Sequence, residues 1–195
     1  GLLQLVLVRP KQFPDPEASA RAAGADDLLR EARVVSSVQE AIGDCGLIAA
    51  TTSRDRDQNF RVRDVREGAA QLVAHARAGP VALLFGNERT GLTNEELSLA
   101  HLLLRIPANP DYPSLNLAMA VQVVAYEVCL ALRDRDTAVS RGEGPVPLAS
   151  AADMEKFYSH LEQVLDEVDF RDRTGSGHLM ARLRRLFQRT VLDQN

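Results

Sequence analysis

An α/β fold is expected: a mostly parallel sheet with helices on both faces, followed by a C-terminal helical extension. Three observations predict it. Short apolar runs ("LQLVLV", "GLIAATT", "VALLF", "LLLRI") alternate with helix-patterned segments. The runs are continuously apolar rather than alternating, as strands buried on both faces must be. Past a charged stretch rich in Gly and Pro, "RDRDTAVSRGEGPVPLAS", two amphipathic segments close the chain. The 195 residues, 45% of them hydrophobic, suffice for one main domain and an appendage. The expected division is a main domain over 1–132, a linker over 133–149 and a helical extension over 150–195.

The elements follow in order. "LQLVLV" reads as a buried strand that begins almost at Gly1, a start that points to sequence upstream. "PEASARAAGADDLLREA" is Ala-rich and helical in two pieces around Gly24; "ARVV" is a strand, "SVQEAIGDC" a short helix and "GLIAATT" a strand. "VRDVREGAAQLVAHA" carries an apolar stripe at Val62, Val65, Ala69, Leu72 and Val73 and reads as a helix throughout. After the strand "VALLF", Thr93 and Glu96 stand three apart as a capping box. "LLLRI" is a strand, and "SLNLAMAVQVVAYEVCLAL" a long helix ending at Leu132. In the extension, the first segment places Met154, Phe157, Leu161, Val164, Leu165 and Val168 on a buried face, and the second Leu179, Leu183, Leu186, Phe187 and Val191.

Charge and residue usage restrict function. The formal net charge of −4 argues against indiscriminate nucleic-acid binding, yet the tail from Arg171 holds six arginines against Asp172 and Asp193. Cys45 and Cys129 lie far apart, and the four histidines have no ligand spacing, so no metal is expected and a reduced, cytosolic protein is the simplest reading. The longest apolar stretch contains Asn116, Gln122 and Glu127, which suits a buried helix and not a membrane span.

Three polar loops, "TTSRDRD", "GNERTG" and "PANPDYPS", each follow a strand. In a parallel sheet such loops share the carboxyl rim, where ligands bind. The middle one, Gly86 to Gly91, has the glycine spacing of a phosphate-binding loop, but Leu92 stands where that motif needs Lys, and Glu88 would repel a polyphosphate. Ser114 and Asn116 can cap the following helix. Arg54 and Arg56 are interleaved with Asp55 and Asp57, as in a salt-bridged surface.

Taken together, "LLFGNERTGL", "IPANPDYPSLNLAMAVQVVAYEV" and "TTSRDR" resemble the motifs of the SpoU (TrmH) family of RNA ribose methyltransferases, in the SPOUT superfamily. The form of "GLTNEEL", "HLEQVLDEVDF" and "RLRRLFQR" is closest to the TrmJ type, which methylates a ribose 2′-hydroxyl in the tRNA anticodon loop. The resemblance covers nearly the whole chain. It implies a C-terminal trefoil knot whose loops hold S-adenosylmethionine. It implies a donor pocket of Thr51, Thr52, Ser53, Gly86, Ile106, Pro113, Ser114 and Leu115, with Ile106 and Leu115 flanking the adenine. Glu88, Ser114 and Asn116 match positions near the reacting centre. The family's Asn-x-Gly-x-x-x-Arg motif, which assists proton loss, is not found in these 195 residues; the family places it before the segment matching "GLLQLVLV". The expected partners are tRNA and a second copy of the chain, the latter through the helix from Asn116. Arg54, Arg56, Arg182, Arg185 and Arg189 are the expected RNA contacts. The alternatives are an rRNA 2′-O-methyltransferase, or a cofactor- and RNA-binding module without catalysis.

Overall fold

The structure is a computed structural model; it describes residues 2, 4–53, 61–112, 114–138, 147–170, 178–190 and 192–193, with side chains of 135–138 left aside. The chain divides into two compact units, Gly1–Gly43 and Asp44–Asn195.

In the first unit, β1 (Val6–Val8) pairs in parallel with β2 (Arg33–Val35). Between them lie α1 (Pro16–Arg21) and α2 (Asp26–Arg30), on either side of Gly24 as the sequence indicates. Asp15 starts α1 by accepting from the N–H groups of Glu17 and Ala18, which have no partner inside the helix. Helix α3 (Val38–Ile42) is capped by the Ser37 hydroxyl, and Glu40 reaches back to the N–H and hydroxyl of Ser36. Those two bonds hold the Glu40 carboxyl below its ordinary range.

The second unit holds a four-stranded sheet in the order β4-β6-β3-β5, with every pair parallel. Its strands are β3 (Leu47–Thr51), β4 (Val62–Asp64), β5 (Val81–Leu84) and β6 (Leu102–Arg105), with α4 (Val65–His75) and α5 (Asn94–Leu97) between them. After β6 come α6 (Leu117–Ala138), α7 (Ala151–Glu167) and α8 (Leu179–Thr190). Strand β3 is the centre, and Leu47 to Ala50 are fully buried. Leu47, Ala49, Leu102 and Leu104 face a core with Val65, Ala69 and Leu72 of α4 and Val124 and Val128 of α6. Ile48, Ala50 and Leu103 point the other way and are as deeply buried. Continuous apolar strands are thus required on both faces. Gly68 lets α4 approach, since a Cβ there would overlap the Leu104 side chain.

Three boundaries differ from those expected. Val62 begins a strand rather than a helix: it pairs with Leu103 on the sheet edge, and the helix starts only at Val65, capped by Asp64. Helix α6 starts at Leu117, not Ser114, because Asn116 caps it, and it runs on to Ala138. The capping box at Thr93 and Glu96 forms with both reciprocal bonds, 3.2 and 2.7 Å long.

Within this unit the extension is tied to the sheet at the rim where β3 and β6 begin. The Ala151 N–H donates to the Cys45 carbonyl, Ala149 pairs with Leu192, and Gln188 reaches the Ser98 carbonyl. Helices α7 and α8 meet around buried Tyr158. Phe157 and Phe187 pack edge to face with centroids 4.9 Å apart; Arg184 lies 4.4 Å over the Tyr158 ring and binds both carboxylate oxygens of Glu155 at 2.7 Å. That fork holds Glu155 below its usual pKa. The faces expected to be buried are only partly so: Val168 is 64% and Leu186 55% exposed. Val168 stands past the last turn of α7 as its C-cap, and Leu186 lies one turn from the exposed Arg182 and Arg189, off the face that packs Leu183 and Phe187. Val191 lies outside the described residues.

His101 joins the sheet as an acceptor. Its Nδ1 takes the Ile48 N–H at 3.1 Å, while its backbone N–H donates to the Ile48 carbonyl. Burial pushes its pKa from 6.5 down to about 4, with His75 nearby acting in the same sense. The Ile48 bond also needs a bare Nδ1. The unfolded chain therefore takes up this proton first. Stability from His101 is complete above pH 6.5 and is lost as pH falls toward 4, by about 2–3 kcal/mol. Chemical denaturation between pH 7 and 4 should show that loss. His101→Asn, whose amide oxygen can take the same N–H, should flatten the profile relative to the parent; parallel profiles would contradict this role.

Candidate active site

Because β3, β5 and β6 are parallel, Thr51, Phe85 and Ile106 leave the sheet at the same rim. One cleft opens there, lined by Thr51, Thr52 and Ser53 after β3, by Gly86 to Leu92 after β5, and by Ile106, Ser114, Leu115 and Leu117 after β6. Thr51 ties two of these segments together, its hydroxyl donating to the Leu84 carbonyl at 3.1 Å. The Thr52 N–H does the same for the third, donating to the Leu104 carbonyl at 3.1 Å.

The loop after β5 closes on itself. The Gly91 N–H donates to the Asn87 carbonyl at 2.7 Å, and the Arg89 N–H to Asn87 Oδ1 at 2.9 Å. Gly91 has φ +69°, a left-handed conformation that glycine adopts without strain. A Cβ on Gly86 would lie 2.7 Å from Gly91 Cα and closer still to the Leu92 nitrogen. Gly86 is therefore demanded by the loop's own backbone. Gly86 also lines the cleft, where the resemblance places it.

Glu88 and Asn116 are brought together from loops 28 residues apart. Asn116 Nδ2 donates to Glu88 Oε1 at 3.1 Å, and Asn116 Oδ1 takes the Ala118 N–H at 2.8 Å. The helix cap thus fixes an amide that in turn holds an exposed carboxylate at the cleft.

Of the expected pocket residues, Thr51, Thr52, Ser53, Gly86, Ile106, Ser114 and Leu115 line this cleft, as does Glu88. Pro113, Arg54 and Arg56 lie outside the described residues. Arg182, Arg185 and Arg189 are not brought to the cleft: they stand on α8, whose anchor at Ser98 precedes the start of β6. Arg182 and Arg189 are exposed, and Arg185 is half-buried with its Nε on the Ala181 carbonyl. Leu92 and Leu97 also line the cleft. A leucine after a glycine loop carries no chemical signal that would have marked either one.

The fold and site define a class: a parallel α/β domain that holds a small ligand at its carboxyl rim, between apolar walls and a few fixed polar groups. Residues 1–126 match the model of the SpoU rRNA Methylase family, and residues 152–195 that of the tRNA methyltransferase TrmJ, C-terminal domain. The chain belongs to the SpoU rRNA Methylase family. It is 46% identical over 193 residues to the tRNA (cytidine/uridine-2′-O-)-methyltransferase TrmJ of Yersinia enterocolitica, covering 97% of this chain and 74% of that protein. It is 47% identical over 192 residues to the enzyme of the same name from Escherichia coli, covering 97% and 77%. Among solved structures, TrmJ from Z. mobilis ZM4 superposes with a TM-score of 0.81 at 35% identity, covering all of this chain and 82% of that one. The SpoU methyltransferase AviRb from Streptomyces viridochromogenes, in complex with AdoMet, gives 0.50 at 26% identity, covering 69% and 50%.

The cleft's chemistry fits a nucleoside-bearing donor. Ile106, Leu92 and Leu115 offer apolar surface for a base, and Thr52, Ser53 and Ser114 offer hydroxyls for polar edges. Gly86→Ala should open the loop at a cost of about 1–3 kcal/mol. Hydrogen exchange at the Gly91 amide should accelerate while β3 amides stay protected. An unchanged Gly91 rate would remove the packing role of Gly86.

Proposed function

We propose that this chain is an S-adenosylmethionine-dependent tRNA 2′-O-ribose methyltransferase acting on an anticodon-loop nucleotide. The observation that carries the reading is the single cleft that all three carboxyl-rim loops line, with Glu88 held at it by Asn116. Relatives that match 97% of the chain are named as tRNA 2′-O-methyltransferases, and a fold neighbour was solved with AdoMet.

S-adenosylmethionine supplies a methyl already electrophilic on its sulfonium. Transfer to a ribose 2′-hydroxyl would leave S-adenosylhomocysteine and release one proton to solvent, so the task of this chain's residues would be to hold and orient the two reactants. Alignment of the two dominates the barrier. In this reading Thr51, Thr52, Ser53, Gly86, Ile106, Pro113 and Leu115 hold the donor, and Ser114, Glu88 and Asn116 stand where the hydroxyl arrives. Asn116 keeps the Glu88 carboxylate at one place instead of letting it sample solvent. The family's trefoil knot belongs to the same reading. It is supported by the insertion of β6, last in sequence, between β3 and β4.

The reading also assigns parts. Residues 1–132 carry donor and chemistry, 133–149 connect, and 150–195 grip RNA. Arg54, Arg56, Arg182, Arg185 and Arg189 supply phosphate contacts; Arg184 is taken up by Glu155 and is not among them. A cytoplasmic homodimer is the working form. Met119 and Tyr126 support this, since they stand seven residues apart on one face of α6 and are 57% and 56% exposed. No helix among the described residues is long and apolar enough to cross a membrane.

Transfer of labelled methyl from S-adenosylmethionine to tRNA, followed by mapping of the modified ribose, tests the activity. A 2′-O-methyl in the anticodon loop is expected. Methylation of rRNA alone would favour the rRNA alternative, and binding of both ligands without transfer the non-catalytic one. Asn116→Ala should lower kcat at least tenfold; a change confined to the KM for S-adenosylmethionine would move Asn116 from the reacting centre to the donor pocket. Light scattering should give a dimer mass that Tyr126→Glu reduces to that of a monomer.

A further inference from the structure

We propose that Tyr112 is a stacking platform for the base of the nucleotide being methylated; the proposal rests on the functional reading above. Tyr112 is 78% exposed, more than any other large hydrophobic side chain described. Exposing a whole aromatic ring to water forgoes the burial that usually accounts for its presence. The close ring pairs among the described residues all lie in the extension, so none of them covers it.

The backbone under the ring is built to hold it out. The Tyr112 N–H donates to the Asn109 carbonyl at 2.9 Å, closing a turn over Pro110 and Asp111. The Asp111 N–H donates to Asn109 Oδ1 at 3.0 Å, and Pro110 fixes its own φ. Such a turn presents its last side chain in a set direction. Two and three residues further on, Ser114 and Leu115 line the cleft. Two residues span at most about 7 Å, so the ring's backbone is at the cleft's mouth.

The reaction explains why a ring is needed there. A ribose hydroxyl can enter a cleft only if its nucleotide leaves the stack, and its base then loses its neighbours. An aromatic face replaces them, and every base has a π-face to offer, so the ring holds the nucleotide without choosing its base. Glu88 and Asn116 act on the ribose side, while Tyr112 holds the base side.

The test uses the full chain and a set of tRNA anticodon stem–loops, each with one loop base removed to leave an abasic sugar. Binding is read by fluorescence anisotropy. At one loop position the abasic RNA should bind the parent about tenfold or more weaker. Tyr112→Ala should bind the intact stem–loop weaker by a similar factor and lose nothing further with that abasic RNA. Tyr112→Phe should behave as the parent. S-adenosylhomocysteine affinity and the mass in solution should be the same for all three. The proposal is overturned if Tyr112→Ala binds the intact stem–loop normally, if every abasic loss is the same in parent and variant, or if the variant loses cofactor affinity or changes mass. Absence of methyl transfer by the parent would sink the functional reading alone, because the ring is judged by binding.

Discussion

The parallel pairing of β3 with β5 on one side and β6 on the other is the constraint on which the rest depends. Leu47 to Ala50 have no exposed face, so the strand can be built only from small and aliphatic residues. Parallel direction then forces the chain to leave β3, β5 and β6 at one rim. Polar loops that are far apart in sequence meet there because the sheet permits no other exit. The cleft follows from direction of travel before any side chain is considered.

Two further devices make that cleft specific. The Gly86 loop is closed by its own backbone, with Gly91 in a left-handed conformation and no room for a Cβ at Gly86. Its shape is therefore set before a ligand arrives, which is what a preorganised site needs. The Asn116 side chain links the start of α6 to Glu88, so the helix that packs Val124 and Val128 into the core also fixes a carboxylate at the rim. Loss of core packing would be felt at Glu88. The extension is organised separately, around Tyr158 and the Arg184–Glu155 fork, and is fastened at the opposite rim through Cys45 and Ser98. None of its described residues lines the cleft.

Much of this was legible in the sequence where local chemistry dictates it. The strands "GLIAATT", "VALLF" and "LLLRI", the break at Gly24 and the Thr93–Glu96 box are local signals, and the structure carries them. The rim loops were legible because apolar runs end in polar loops. Val62 misled because an apolar residue three before Val65 fits a helical stripe, while a three-residue edge strand has too few residues to show its own period. Gly86 was legible as a loop glycine, but its crowding by Gly91 and Leu92 was not, because it depends on how the loop folds back on itself. Val168 and Leu186 show a different limit: an apolar residue near the stripe fits the period even where the helix has ended or the face has turned outward. His101 and the Asn116–Glu88 pair depend on contacts 53 and 28 residues away and leave no local trace.

The central claim is that three loops of one rim hold the methyl donor together. Hydrogen–deuterium exchange with and without S-adenosylhomocysteine tests it most directly. The account predicts added protection in 51–53, 86–92 and 106–118 at once, rising with the same ligand concentration, and none in α7 or α8. Protection confined to the groove that Arg66 and Ala70 of α4 and Glu127 and Leu130 of α6 line, or present in one loop without the other two, would contradict it.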